Sequence, residues 1–88
     1  MDKSLNIDGE KIQLTEVAAN GDKKLYRFES DWRITPASKK EINENFPEYE
    51  YNPLENLTYS FLIEYNGKIR FYDPDGEPID DNEIECLD

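Results

Sequence analysis

The sequence contains no histidine, one cysteine and no long apolar run. Histidine is the commonest general base and a common metal ligand, so its absence argues against most acid–base catalysis and transition-metal binding. Cys86 has no second cysteine to pair with, and a small chain without disulfides fits a reducing compartment. We therefore expect no cofactor and a cytoplasmic location.

Segments that would enter a membrane are also missing. The longest apolar runs, such as Phe61-Leu62-Ile63, are three residues long, so we expect no membrane association. The first residues carry no apolar stretch, so we expect no secretory signal. Adjacent carboxylates such as Asp80 and Asp81 can serve as acid and base, but no activated nucleophile or glycine-rich phosphate loop accompanies them. The sequence therefore predicts a protein that is not an enzyme.

Negative charge is abundant and unevenly distributed. Residues 41–88 carry fourteen acidic and two basic side chains, whereas residues 1–40 carry seven acidic and eight basic ones. The net charge of −11 is thus the sum of −12 and +1. A field of this sign repels nucleic acids and anionic membranes and attracts basic partners. We expect the partner to be a basic protein surface, with no direct nucleic-acid binding.

Turn signals predict an antiparallel sheet. All four glycines follow Asp or Asn, in Asp8-Gly9, Asn20-Gly21, Asn66-Gly67 and Asp75-Gly76, and such dipeptides favour tight turns. The predicted fold is α+β, a single domain over 1–88 with an antiparallel sheet of about four to six strands in hairpins and one α-helix packed on one face. Strands are expected near 3–18, 24–34 and 57–73, a helix near 36–46, an acidic loop at 47–56 and an acidic tail at 77–88.

Register follows from the alternation of apolar residues. A two-residue turn at Asp8-Gly9 places Leu5 opposite Ile12. In the second segment one face of the strand is predicted to be buried, and it comprises Tyr26, Phe28, Trp32 and Ile34. In the third hairpin we favour a three-residue loop, Tyr65-Asn66-Gly67, because it pairs Ile63 with Ile69, whereas a two-residue loop places Ile69 on the opposite face. Asp73-Pro74-Asp75-Gly76 predicts a further tight turn.

The helix has two possible starts and a clear end. Thr35-Pro36 offers an N-cap with proline in the first turn, and Ser38 with Glu41 offers a capping box. Ile42 and Phe46 form its apolar stripe, and Pro47 stops it. Residues 79–87 read as either a short edge strand or an irregular tail.

The acidic segments are the candidate binding site. Glu48/Glu50, Asp73/Asp75/Glu77 and Glu83/Glu85 recur at every second residue, which in extended chain places carboxylates about 7 Å apart, similar to neighbouring phosphates. Tyrosine is enriched at interfaces, and five of the six tyrosines lie in this half. The predicted partner-binding residues are Glu48, Tyr49, Glu50, Tyr51, Asp73, Asp75, Glu77, Asp80, Asp81 and Glu83. The basic residues between 23 and 40 are interleaved with Asp22, Glu29 and Asp31, which predicts either intramolecular pairing or a charged strand face.

The leading functional hypothesis is a small acidic inhibitor, a nucleic-acid mimic that blocks the nucleic-acid site of a basic protein. In length and acidity the chain resembles phage anti-defence proteins such as anti-CRISPR and anti-restriction inhibitors, and this resemblance is one of composition. An immunity protein or antitoxin against a basic nuclease is an alternative with the same physics. A weak calcium-binding module at 73–83 is a further alternative, although its spacing differs from that of an EF-hand loop. A generic protein-interaction module, whose acidity serves solubility, is the last.

Overall fold

A computed structural model of the chain describes residues 3–7, 9–50, 58–79 and 84–86. They form an antiparallel, curled β-sheet with one short helix, an α+β arrangement. The elements are β1 (Lys3–Ile7), β2 (Glu10–Asn20), β3 (Lys23–Glu29), α1 (Lys39–Asn45), β4 (Tyr59–Tyr65), β5 (Lys68–Ile69) and β6 (Ile84–Cys86). Within the described ranges, the six strands are ordered β5-β4-β3-β2-β1-β6, and β5 is only two residues long.

The long strand β2 carries the bend of the sheet. Its first half pairs with β1, from Glu10 to Leu14, and its second half pairs with β3, from Thr15 to Asn20. The register shifts between Glu16 and Ala18, which marks a bulge. A bulge increases local twist, so the strand turns from one half of the sheet into the other.

Two buried clusters lie on opposite faces of the central strands. The first contains Leu5, Ile12, Leu14, Tyr26, Phe28, Ile34, Leu62 and Phe71. The second contains Leu25, Ile42, Phe46, Phe61 and Ile63. Successive side chains of a strand point to opposite faces, so β3 and β4 contribute alternate residues to each cluster. These two strands are therefore buried on both sides, unlike the half-buried strands that the alternation predicts.

The first hairpin and the chain's last strand follow the sequence prediction. Leu5 lies opposite Ile12 across a two-residue turn, which confirms the predicted register. Of the two interpretations of residues 79–87, the edge strand is correct, since β6 pairs with β1 at the border of the sheet.

The predicted loop of the third hairpin is wrong. Tyr65 pairs with Lys68 and Glu64 with Ile69, so the loop has two residues, Asn66 and Gly67. Their φ angles of 51° and 84° are those of a type I′ turn. The prediction placed Ile69 on the face of Ile63, whereas its actual partner, Glu64, is itself only 3% exposed. Ile69 therefore lies on a face that is itself buried, and it packs against the first cluster.

The predicted second strand is too long. β3 ends at Glu29, and a turn occupies the following residues, closed by a hydrogen bond from the Ile34 amide to the Asp31 carbonyl (3.1 Å). Tyr26, Phe28 and Ile34 are buried as predicted, but Trp32 is 83% exposed. The alternation does not continue past Glu29, because the backbone is no longer extended there.

The helix begins at the second of the two predicted starts. Ser38 is the N-cap, and its hydroxyl accepts a hydrogen bond from the Glu41 amide (3.1 Å). The backbone of the preceding residues bonds to the sheet region instead. The Thr35 amide donates to the Tyr72 carbonyl (2.8 Å), and the Ala37 amide donates to the Phe61 carbonyl (2.8 Å). In the described part of the chain, α1 falls short of the length and hydropathy that a membrane-spanning helix needs.

Candidate functional site

Several cations of the first forty residues are engaged within the molecule. Ion pairs join Arg33 to Asp31 (2.7 Å) and Glu10 (3.0 Å), Lys24 to Glu16 (3.8 Å), and Lys40 to Glu44 (4.0 Å). The Arg27 guanidinium lies 4.5 Å from the centre of the Tyr59 ring. The predicted intramolecular pairing is thus confirmed for Lys24, Arg33 and Lys40. These cations offset acids that lie beside them in the fold.

The first acidic segment projects two carboxylates around a tyrosine anchor. Glu48 and Glu50 are exposed, and Tyr49 between them is half-buried. The Tyr49 ring meets Phe61 edge-on at 5.9 Å, and its amide donates to the Phe46 carbonyl (3.1 Å). Pro47 and Glu48 lie in a turn, so the row of carboxylates expected for extended chain is not formed here. The packed Tyr49 ring therefore fixes the position from which Glu48 and Glu50 project into solvent.

The second acidic segment is a tight turn, as predicted, and Asp73 organises it. Oδ1 of Asp73 accepts hydrogen bonds from the amides of Asp75 and Glu77 (2.9 Å each), and its carbonyl accepts one from Gly76 (2.9 Å). Gly76 has a φ of +83°, which suits glycine in such a turn. The extended-chain spacing of about 7 Å therefore does not apply to this segment. Asp75 and Glu77 are exposed, whereas Asp73 is half-buried and holds the backbone.

The two segments are anchored on opposite faces of the sheet. Tyr49 packs against the second buried cluster. Phe71 and Ile79, which flank the acidic turn, belong to or pack against the first cluster. The structure thus brings Asp73, Asp75 and Glu77 together, separately from the segment 48–50. The remaining predicted site residues lie outside the described residues, and they are Tyr51, Asp80, Asp81 and Glu83.

The segment 73–83 is the alternative calcium-binding site of the sequence analysis. Among the described residues, no group of three or more carboxylates or thiols is placed to hold a metal ion. The side chain of Asp73 is already committed to two backbone amides. Residues 80–83 of that segment lie outside the described ranges.

A buried carboxylate escaped the sequence reasoning. Glu64 lies on β4 among core residues, and the Lys3 ammonium of β1 forms an ion pair with it. The same ammonium lies 5.6 Å from the centre of the Tyr26 ring. Burial raises the pKa of Tyr26, and the Glu64 charge adds to that shift. The signal for this arrangement was the Asn-Gly dipeptide itself, whose preferred two-residue loop turns Glu64 inward.

A polar network ties α1 to the end of β4. The Tyr65 hydroxyl donates to Oε2 of Glu41 (2.8 Å), and Nδ2 of Asn45 donates to the Glu41 carbonyl (2.8 Å). Burial, together with the hydrogen bond to Glu41, raises the pKa of Tyr65 to about 12. The Glu41 carboxylate is thus engaged within the molecule by the hydrogen bond from the Tyr65 hydroxyl.

The exposed indole of Trp32 also escaped the sequence reasoning. Its neighbours Asp31 and Arg33 are joined by two side-chain hydrogen bonds, Nε to Oδ1 (3.0 Å) and Nη2 to Oδ2 (2.7 Å). The hydrogen bond from Arg33 lowers the pKa of Asp31. Ser30-Asp31 after a strand is a turn signal, because both side chains accept local backbone hydrogen bonds. That signal predicts the end of β3 and hence the exposure of Trp32.

Comparison of the chain with protein-family models, with curated proteins and with solved structures finds no match. The site is therefore defined by its own chemistry. Its candidate features are exposed carboxylates on two segments that are anchored on opposite faces of the sheet, and one exposed indole on a hydrogen-bonded turn.

Proposed function

We propose that this protein is a small, acidic, non-enzymatic inhibitor that binds a basic protein and occupies its nucleic-acid site. The observation that carries the proposal is the contrast between paired cations and exposed carboxylates. Lys24, Arg33 and Lys40 pair within the molecule, whereas Glu48, Glu50, Asp75 and Glu77 are exposed. With a net charge of −11, the exterior field is negative, as a partner with a phosphate-binding surface requires.

The mechanism we propose is steric occupation guided by electrostatic attraction. Carboxylates accept hydrogen bonds from the same lysine and arginine side chains that bind phosphates. Opposite fields raise the rate of association, and this acceleration falls with salt. We place this encounter in the cytoplasm, in keeping with the single cysteine.

The carboxylates are supported by rigid backbone, which favours binding. Asp73 fixes the turn that bears Asp75 and Glu77. We further infer that α1 packs across the face of the sheet formed by Leu25, Phe61 and Ile63, because Ile42 shares their buried cluster. That packing holds the start of the segment 48–50. Groups that are ordered before binding lose less entropy on binding.

The test begins with capture of partners from nuclease-treated extracts at low and high salt. The expected product is a nucleic-acid-binding protein that elutes as salt rises. The purified partner is then mixed with labelled nucleic acid and increasing amounts of this protein. Competition supports the proposal, whereas a ternary complex that contains both ligands contradicts it.

Charge-neutral variants localise the effect. Asp75→Asn with Glu77→Gln removes two exposed carboxylates and leaves the Asp73 hydrogen bonds in place. Asp22→Asn with Glu44→Gln is the matched control, because it removes the same charge at positions outside the acidic segments. We expect the first pair of changes to weaken inhibition and the second pair to leave most of it. Equal effects would mean that only net charge matters.

A further inference from the structure

Trp32 is an exposed indole, whereas the other large apolar side chains described by the structure are buried or half-buried. It is 83% exposed, and among the described residues no other large apolar side chain is classed as exposed. Tryptophan carries a large apolar surface and is enriched where proteins bind partners. Neither the acidic segments nor the two core clusters use it.

The turn that bears Trp32 is fixed before any partner arrives. Asp31 accepts hydrogen bonds from the Arg33 amide (2.9 Å) and from its guanidinium. Glu10 pairs with the same guanidinium (3.0 Å), and the following residue, Ile34, is buried. An indole on an ordered turn loses little backbone freedom on binding. The positive charge of Arg33 is also offset by its two carboxylate partners, so it does not oppose a cationic ligand.

The same turn is joined to the acidic turn at 73–77. Thr35 lies three residues after Trp32, and its amide donates to the Tyr72 carbonyl (2.8 Å). Its hydroxyl donates to the Asp73 carbonyl (2.5 Å). Three residues span at most about 11 Å, so the backbone of Trp32 lies within that distance of Thr35, which is hydrogen-bonded to the turn that presents Asp75 and Glu77. On its other flank, the Glu10 carboxylate is 72% exposed.

We propose that Trp32 and the turn 73–77 form one docking surface for an arginine-rich segment of a basic protein. One guanidinium stacks on the indole, and neighbouring guanidinium groups pair with Asp75 and Glu77. Arginine fits better than lysine, because its group is planar, more weakly hydrated and able to form paired hydrogen bonds with a carboxylate. The chain contains such a stack itself, between Arg27 and Tyr59. The inference rests on the proposed function, which supplies a basic partner. It adds that the cations of this partner at the surface are arginines.

The chain's single tryptophan provides the assay. The probes are deca-arginine and deca-lysine peptides, titrated at equal salt while Trp32 fluorescence is recorded and binding is measured by calorimetry. We expect deca-arginine to quench or shift the emission and to bind about three- to fivefold more tightly than deca-lysine, as one cation–π contact predicts. Trp32→Ala should reduce this preference to the part that paired hydrogen bonds with the carboxylates supply, and should leave charge-driven binding of both peptides. Trp32→Phe should keep part of it.

Two further variants separate the surface from bulk charge. Asp75→Asn with Glu77→Gln should weaken both peptides, whereas Glu48→Gln with Glu50→Gln, which removes the same charge elsewhere, should retain the arginine preference and the emission change. Melting curves establish that each variant is folded.

The outcomes distinguish the inference from the proposed function. If both peptides bind but the emission is unchanged, or if Trp32→Ala leaves the arginine preference undiminished, the docking surface is wrong and the acidic inhibitor stands. If neither peptide binds at low salt, both proposals fail. Self-association that Trp32→Ala abolishes would assign the indole to a second copy of the chain and overturn the inference.

Discussion

The pairing of Lys3 with buried Glu64 gives the sharpest test of the fold. The Glu64 side chain is 4% exposed and that of Lys3 is 28% exposed. Removing one partner of a fully buried pair costs about 3–5 kcal/mol, because a charge is left without compensation. Water reaches part of Lys3, so we expect Lys3→Met to cost about 2–3 kcal/mol. That is a large fraction of the roughly 4–13 kcal/mol expected for a domain of this size.

Urea denaturation followed by circular dichroism measures this loss. With a slope of about 1 kcal/mol per molar urea, the midpoint should fall by about 2 M. Replacing both partners, Lys3→Met with Glu64→Met, removes the uncompensated charge, and we expect stability within about 1 kcal/mol of the unmodified protein. The double-mutant cycle then gives a coupling of about 2 kcal/mol.

The control is Lys40→Met. The Lys40 side chain is 86% exposed and its nitrogen lies 4.0 Å from Glu44, so its loss should cost at most about 0.5 kcal/mol. If Lys3→Met costs no more than Lys40→Met, Glu64 is solvated and the inward-facing register of β4 is refuted.

Four further predictions follow from the same structure. Ile42→Ala should cost about 2–5 kcal/mol by urea denaturation, because Ile42 is fully buried, and a loss below 1 kcal/mol would contradict packing of α1 on the sheet. Gly67→Ala should cost about 1–2 kcal/mol, since φ is +84° and no atom lies within 4 Å of an added Cβ; an unchanged midpoint would contradict the positive φ. Tyr65 has a pKa raised to about 12, so the protonated hydroxyl contributes to the free energy of unfolding. This contribution is complete below pH 10 and is lost as pH rises towards 12. Absorbance titration should show that Tyr65 and Tyr26 ionise late, and Glu41→Gln should lower the pKa of Tyr65 alone. Raising NaCl from 0.01 to 0.3 M should raise the melting temperature, because screening weakens the self-repulsion of a chain of net charge −11; a fall would mean that attractive pairs dominate.

The turns and the first register were predictable because they depend on local chemistry. Asp8-Gly9 and the apolar pairs around it specify a two-residue hairpin with one inner face, and Leu5 meets Ile12 as expected. The turn at 73–76 is likewise set by its own residues, with proline fixing φ and glycine supplying a positive φ. Neither feature requires knowledge of distant contacts.

The errors share one physical cause. The period-two rule presumes that a strand has one buried and one solvated face. In β4, the four consecutive residues Phe61, Leu62, Ile63 and Glu64 are buried, so the rule rejects the correct loop. The rule also predicts that the alternation continues from Glu29 to Trp32, although the strand ends at Glu29. Local signals for the correct structure were present in both cases, Asn66-Gly67 for the loop and Ser30-Asp31 for the turn, and long-range contacts join each region to the rest of the fold, from Lys3 to Glu64 and from Thr35 to Tyr72.

The uneven distribution of charge along the sequence corresponds, in the folded protein, to an uneven pairing of carboxylates with cations. The carboxylates paired to Lys24 and Arg33 belong to the first half of the chain, and they are Glu10, Glu16 and Asp31. Lys3 and Lys40 pair with carboxylates of the second half, and these are the buried Glu64 and the helix residue Glu44. None of these pairs involves the exposed carboxylates at 48–50 or 75–77. Among the described residues, folding thus offsets several acids of the near-neutral half and leaves Glu48, Glu50, Asp75 and Glu77 of the acidic half facing outward. That is the distribution expected where part of the compensating charge comes from a partner, and Trp32 stands on the turn that adjoins one of the two outward-facing acidic segments.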